Sequence, residues 1–307
     1  MNTDLPGYTL KETLFTSART KIQKAVRDED GCPVIIKSFE TMYPSPRQRQ
    51  CFVLSYALLK KFNHPNICKA LDYQEQDGLP IMVLEDTQSI DLRQYLQAQD
   101  GKCVAIEAFL DIAIQLADAL SVIHHAQVIH KDLHPGNILI NPNTEQLQIS
   151  DFGLASLLSR EQTSLAPPEQ LEGVLAYISP EQTGRMNRSL DYRSDFYTLG
   201  VTFYELLSGK CPFHADDALG MVHAHIAKAH KPLIQCREDI PPTLSKLIDK
   251  LLHKMAEQRY QSALGLKKDL EKCRDMLTTD HPKLEFVLGK EDISDRFQVP
   301  QILYGRE

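Results

Sequence analysis

Asp132 follows His130 by two residues, Asn137 comes five residues later, and Asp151 opens the triplet Asp151-Phe152-Gly153. A carboxylate, an amide oxygen and a second carboxylate in this order suit the transfer of a phosphoryl group. One carboxylate orients an attacking hydroxyl, while the amide oxygen and the other carboxylate hold a hard divalent cation against phosphates. Short apolar runs flank these residues: Val128-Ile129, Ile138-Leu139-Ile140, and Leu147 with Ile149. They read as short strands that present a polar edge. A stray Asp-Phe-Gly would be only a turn, so the weight lies in the order and spacing of all the pieces.

Further along stand Ser179-Pro180-Glu181, then Asp195 opening an apolar helix through Phe203, Leu206 and Leu207, then Arg259 within Glu257-Gln258-Arg259-Tyr260. With these in place, residues 8–278 resemble a eukaryotic-type Ser/Thr protein kinase domain, in which Ser179-Pro180-Glu181 matches the A-P-E that closes the activation segment. The string from Ala176-Tyr177-Ile178 through Arg185-Met186-Asn187-Arg188 narrows the resemblance. It is similar to the N-terminal kinase domain of large bacterial signalling proteins, which precedes a P-loop ATPase module, sensor modules and often a histidine kinase. Residues 297–307 resemble the opening of that ATPase module.

The resemblance implies an α+β, bilobal fold, with a small β-rich N-lobe over 8–86, a larger α-helical C-lobe over 87–278, and a linker over 279–307. It implies ATP and Mg²⁺ as cofactors, with protein Ser/Thr hydroxyls as acceptors in bacterial signalling. Asp132 takes the role of base and orienting group, and Asn137 and Asp151 hold metal. Val34-Ile35-Ile36-Lys37 matches the V-A-I-K strand whose lysine reaches the ATP phosphates. Leu84 becomes the gatekeeper, with Glu85, Asp86 and Thr87 at the adenine edge, and Leu14 and Ile22 flank the nucleotide. His134 stands where such kinases carry a lysine that contacts the γ-phosphate. Glu181 is expected to pair with Arg259, and Asp195 to anchor the catalytic-loop backbone.

Three departures from the family pattern bear on activity. Phe15, Ser17 and Thr20 occupy the positions of the phosphate-loop glycines, so the loop loses the close approach and positive φ that glycine allows. Ser55 occupies the place of the helix glutamate that pairs the strand lysine. It shares a stripe with Phe52, Leu58, Leu59 and Phe62, and no Asp or Glu lies between Thr41 and Leu71. Val174 stands where a threonine usually supports the catalytic aspartate, and Lys131 replaces an arginine whose planar fork suits a phosphorylated loop. Ser159, Thr163 and Ser164 are the candidate phosphorylation sites. These departures motivate an alternative reading, a pseudokinase-like module that binds nucleotide or a partner and regulates an attached ATPase.

The elements that position these residues are legible too. Phe109, Ile112, Ala113, Leu116, Leu120 and Ile123 recur at helical spacing, forming a core helix that delivers the chain to His130. A net charge of −7 gives no basic field for nucleic acid. The seven scattered cysteines, without a C-x-x-C, read as free thiols of a cytoplasmic protein, and no stretch reaches membrane-spanning length. His223, His225 and His230 do not share a helical face, which argues against a zinc site. Arg185 and Arg188 could read an acidic substrate or dock a neighbouring domain, and docking is the preferred reading, while residues 279–307 read as a polar segment that packs weakly.

Overall fold

The computed structural model describes residues 5–17, 19–99, 102–157, 174–186, 188–278 and 286–293. Ser159, Thr163, Ser164 and residues 294–307 lie outside them. Strand-forming residues dominate the first third. β1 (Tyr8–Thr16), β2 (Thr20–Arg27), β3 (Pro33–Phe39), β4 (Ala70–Gln76) and β5 (Leu79–Glu85) make an antiparallel sheet in the order β1-β2-β3-β5-β4. Alternation along β3 sends Val34 and Ile36 to the outer face, where they join Ala25, Ile81 and Val83 in a small core closed by Leu5 and Tyr8. Ile35 and Lys37 therefore point the other way, toward the cleft.

That inner face is covered by α1 (Pro46–Lys61). Ser45 caps the helix, accepting the Gln48 amide while the Gln48 side chain accepts the Ser45 amide, and Pro46 sits at the first helical position. Phe52, Ser55, Leu58 and Leu59 form its buried stripe, and Phe39 of β3 packs on Phe52 with ring centroids 5.1 Å apart.

The second lobe contains β6 (Ile90–Asp91), α2 (Leu92–Gln97), α3 (Ile106–His125), β7 (Val128–Ile129), β8 (Ile138–Ile140), β9 (Leu147–Ile149) and β10 (Ser156–Leu157). Helices α4 (Arg193–Ser208), α5 (Ala218–Ala227), α6 (Pro242–Leu251) and α7 (Ala263–Thr278) follow. The stripe predicted for α3 is entirely buried and packs against α4 and α7. Gly200 lets α4 approach α6, because a Cβ there would lie 2.7 Å from the Leu251 Cβ. The α+β, two-lobed architecture expected from the resemblance is observed. Among the described residues no helix is long and apolar enough to cross a membrane.

The weak packing expected of the tail does not hold for residues 286–293. Phe286 and Leu288 pack on the core, and Glu291 pairs with Lys268 at 3.0 Å and Lys272 at 2.7 Å. Asp292 accepts the amides of Gln261 and Ser262, each at 2.8 Å, and the Ser262 hydroxyl at 2.9 Å. A short polar string reads as linker from composition alone. Here its carboxylate satisfies the backbone donors of the two residues ahead of α7 and places negative charge near the helix N-terminus.

Candidate active site

The loop between β7 and β8 is held from below by α4. Asp195, fully buried in the first turn, accepts the His130 amide at 2.9 Å, the Lys131 amide at 2.7 Å and His124 Nε2 at 2.9 Å. Burial pushes its carboxyl up, but the His124 bond and charge and those of His130 outweigh it, so the group sits below the usual carboxylate range. His130 Nδ1 accepts the Asp132 amide, which leaves Nε2 to donate to the Ser150 carbonyl at 3.0 Å. The Asn137 amide nitrogen donates to both the Asp132 carbonyl and Asp132 Oδ2, each at 2.9 Å. With its nitrogen so directed, Asn137 has its amide oxygen to offer a cation.

Asp151 approaches from the end of β9. It adopts a left-handed backbone (φ 54°), accepts the Gly153 amide through Oδ1, and meets Lys37 Nζ through Oδ2 at 2.9 Å. The protein around it pushes its carboxyl up, yet Lys37, the Gly153 amide and His130 together hold it below the ordinary range. The fully buried ring of Phe152 sits between His130 and Phe62, at centroid distances of 4.7 and 5.5 Å, which ties Asp151 to the end of α1. Among the described residues no group of three or more His, Cys, Asp or Glu converges on a metal position. One amide oxygen and one carboxylate would suit a hard divalent cation that takes its remaining ligands from a bound substrate and water.

The roof comes from the sheet. Phe15 pairs with Ile22, Ile22 with Lys37, and Lys37 with Met82, so these four share one row on the cleft face. Leu14 sits at a bulge, where the register passes from Thr13↔Gln23 to Phe15↔Ile22. Of the two residues expected to flank the nucleotide, Leu14 and Ile22, Ile22 has Phe15 across from it. Ile35 lies opposite Leu84 on the same face, and its branched side chain stands where the strand motif carries alanine. Thr87 is tied to the lower lobe: its carbonyl accepts Asn141 Nδ2 at 2.7 Å and its hydroxyl donates to Gln148 Oε1 at 3.1 Å. Glu85 ends β5, and its amide donates to the Lys69 carbonyl at 3.1 Å.

The departures also acquire positions. Ser55 is 3% exposed, and its hydroxyl has no hydrogen-bond partner. Lys37 has Asp151 as its ion-pair partner. Val174 is 39% exposed and brings no hydroxyl to Asp132. His134 accepts the Gly136 amide on Nδ1, so its Nε2 carries the proton and faces Asp132 Oδ2 at 3.7 Å. Burial, only partly opposed by Asp132, lowers its pKa, and the ring lies against Tyr177 at 5.6 Å.

Supports stand as the resemblance implied: Arg259 donates twice to Glu181, at 2.6 and 2.9 Å, and Ser194 donates to it at 2.8 Å. Arg188 pairs with Glu257 inside the same lobe. Arg185 is exposed and donates to the Thr183 carbonyl. His225 is buried against the Tyr197 hydroxyl at 3.0 Å, and His230 meets Asp249 at 2.8 Å.

The protein kinase domain profile matches residues 8–270, and the chain belongs to that family. It is 31% identical over 226 residues to Serine/threonine-protein kinase PknB of Mycolicibacterium smegmatis, covering 72% of this chain and 35% of that protein. It is 31% identical over 261 residues to Serine/threonine-protein kinase PknA of Mycobacterium tuberculosis, covering 83% of this chain and 58% of that one. A third relative, Serine/threonine-protein kinase pkn3 of Myxococcus xanthus, is 33% identical over 223 residues, 69% of this chain and 39% of its own. The chain thus spans between about a third and three-fifths of the length of these relatives.

Proposed function

We propose that this chain is an ATP- and Mg²⁺-dependent protein kinase domain that transfers the γ-phosphate to serine or threonine hydroxyls in bacterial signalling. The observation that carries the reading is the convergence of Lys37, Asp132, Asn137 and Asp151: Lys37 meets Asp151 and Asn137 meets Asp132, each at 2.9 Å, and the Ser150 amide, next to Asp151, donates to the Asn137 carbonyl at 2.9 Å and joins the two pairs. Held by Asn137, the Asp132 carboxylate accepts the hydrogen of the incoming hydroxyl and aims its lone pair at the γ-phosphorus. Asn137 Oδ1 and Asp151 would hold the Mg²⁺, which neutralises charge on the phosphates. Lys37, released from Asp151, reaches the phosphates from β3. Neutral His134 stands in the lysine position and can offer a hydrogen bond from Nε2, though not a charge.

The relatives are named serine/threonine-protein kinases, which supports transfer over the purely regulatory module. A protein substrate, a cytoplasmic setting and a neighbouring P-loop ATPase or sensor module belong to the same proposal. The setting rests on seven free thiols, and the neighbour rests on the resemblance of residues 176–188 and 297–307. The test is the time course of labelled phosphate transfer from ATP, with and without Mg²⁺. Transfer that needs Mg²⁺ and is lost in Asp132→Asn supports the reading, and metal-independent transfer contradicts it.

A further inference from the structure

We propose that Phe15 and Ile22 form a stacking roof over the nucleoside end of the nucleotide, so that this cleft binds chiefly through the nucleoside and little through the phosphates. The inference rests on the nucleotide-binding reading above and specifies which part of the ligand is recognised.

The placement of Phe15 follows from strand register. Thr13 pairs with Gln23, and Gln23 with Ile36, whose side chain is buried in the outer core. Thr13 therefore faces outward. In a regular strand Phe15, two residues on, would face outward as well. The bulge at Leu14 inserts one residue and turns Phe15 to the opposite face, across from Ile22 and in line with Lys37. Lys37 reaches Asp151, so this face is the cleft. Phe15 is 54% exposed there, which leaves much of its ring open to a planar ligand.

The phosphate end is correspondingly poor in donors. A phosphate-cradling loop presents successive backbone amides to the anion. Here the amides of Arg19 and Thr20 are directed to Ser17 Oγ at 3.3 and 3.0 Å, and the Ser17 amide donates to the Thr20 carbonyl at 2.9 Å. The turn thus consumes donors that glycine-rich loops keep for phosphate. Lys37 is shared with Asp151, and α1 supplies no carboxylate to steer it.

Stacking of a base on an aromatic ring contributes about 1–3 kcal/mol by alanine substitution, a factor of about 5 to 150 in affinity. The test titrates the full chain with adenosine, ADP and ATP in the presence of Mg²⁺, by calorimetry. Adenosine should bind within about tenfold of ATP. Phe15→Ala should weaken all three ligands by about 5- to 150-fold, and Phe15→Tyr should restore them. The inference is overturned if Phe15→Ala leaves adenosine affinity unchanged, or if ATP binds more than about a hundredfold tighter than adenosine. Tight Mg-ATP binding that ignores Phe15 overturns this inference alone, whereas failure to bind any of the three ligands overturns the proposed function as well.

Discussion

Ser55 offers a quantitative perturbation. It lies one turn along α1 from Phe52, and Lys37 lies two residues along β3 from Phe39. The Phe39–Phe52 contact therefore sets both positions in the same interface between sheet and helix. The Ser55 hydroxyl is buried without a hydrogen bond, so Ser55→Ala loses no interaction and should leave the melting temperature unchanged or slightly higher. Ser55→Glu adds the missing carboxylate, which would hold Lys37 and leave Asp151 to the metal. If this recovers about 1.4–2.8 kcal/mol of transition-state positioning, transfer should accelerate roughly ten- to hundredfold. The longer side chain also crowds Leu58, Leu59 and Phe52. Overpacking of about 1–3 kcal/mol would lower the melting temperature by about 2–4 °C for each kcal/mol. The assay is the initial rate of phosphate transfer at saturating Mg-ATP, recorded beside melting curves. A folded Ser55→Glu protein that is no faster than wild type, while Lys37→Met is inactive, refutes the idea that the absent carboxylate limits Lys37.

Asp151→Asn should weaken Mg-ATP binding measured by calorimetry while shifting the melting temperature little, because it removes a carboxylate from the metal position and from a pair that is partly open to solvent. Stability should also depend on His225, whose pKa is lowered from 6.5 to about 4 by burial, with Lys254 adding to the effect. The unfolded chain binds a proton that the folded chain refuses between those values. Stability is therefore fully present above pH 6.5 and falls as pH drops toward about 4, by roughly 3 kcal/mol. Urea midpoints measured from pH 7 to 4.5 should show this slope, and His225→Gln should flatten it. Gly265→Ala would set a Cβ 2.5 Å from Asp292 Oδ1 and 2.7 Å from its Cα, so residues 286–293 should detach. Faster hydrogen exchange confined to that segment and its α7 contacts is the expected readout.

The side chains of the candidate site were legible because the chemistry proposed for them is bound to short, ordered motifs. Asp132, Asn137, Asp151 and Lys37 could be assigned without knowing a single contact, and Ser55 stood out because its stripe was otherwise apolar. What escaped depends on features that sequence spacing does not encode. The bulge at Leu14 reverses the face of Phe15, and no composition signal marks a bulge between Thr13 and Phe15. The capping of two loop amides by Ser17 is a turn geometry that serine permits but does not dictate. Arg188 read as a surface residue because its partner, Glu257, lies far away in sequence. Residues 286–293 read as linker because the gain lies in satisfying the Gln261 and Ser262 amides just ahead of α7, a pairing far apart in sequence. Ile35 was visible in its motif, yet its place opposite Leu84 needed the strand register.

In the proposed reaction the carboxylate of Asp132 directs phosphate from ATP to an aliphatic hydroxyl. The most direct measurement is the phosphoamino-acid content of a generic protein acceptor incubated with the chain, labelled ATP and Mg²⁺, for wild type and Asp132→Asn. The wild type should put label into phosphoserine and phosphothreonine, and Asp132→Asn should reduce it to background in a protein that still melts normally. Label appearing on other residues, or equal serine and threonine labelling by both proteins, would contradict it.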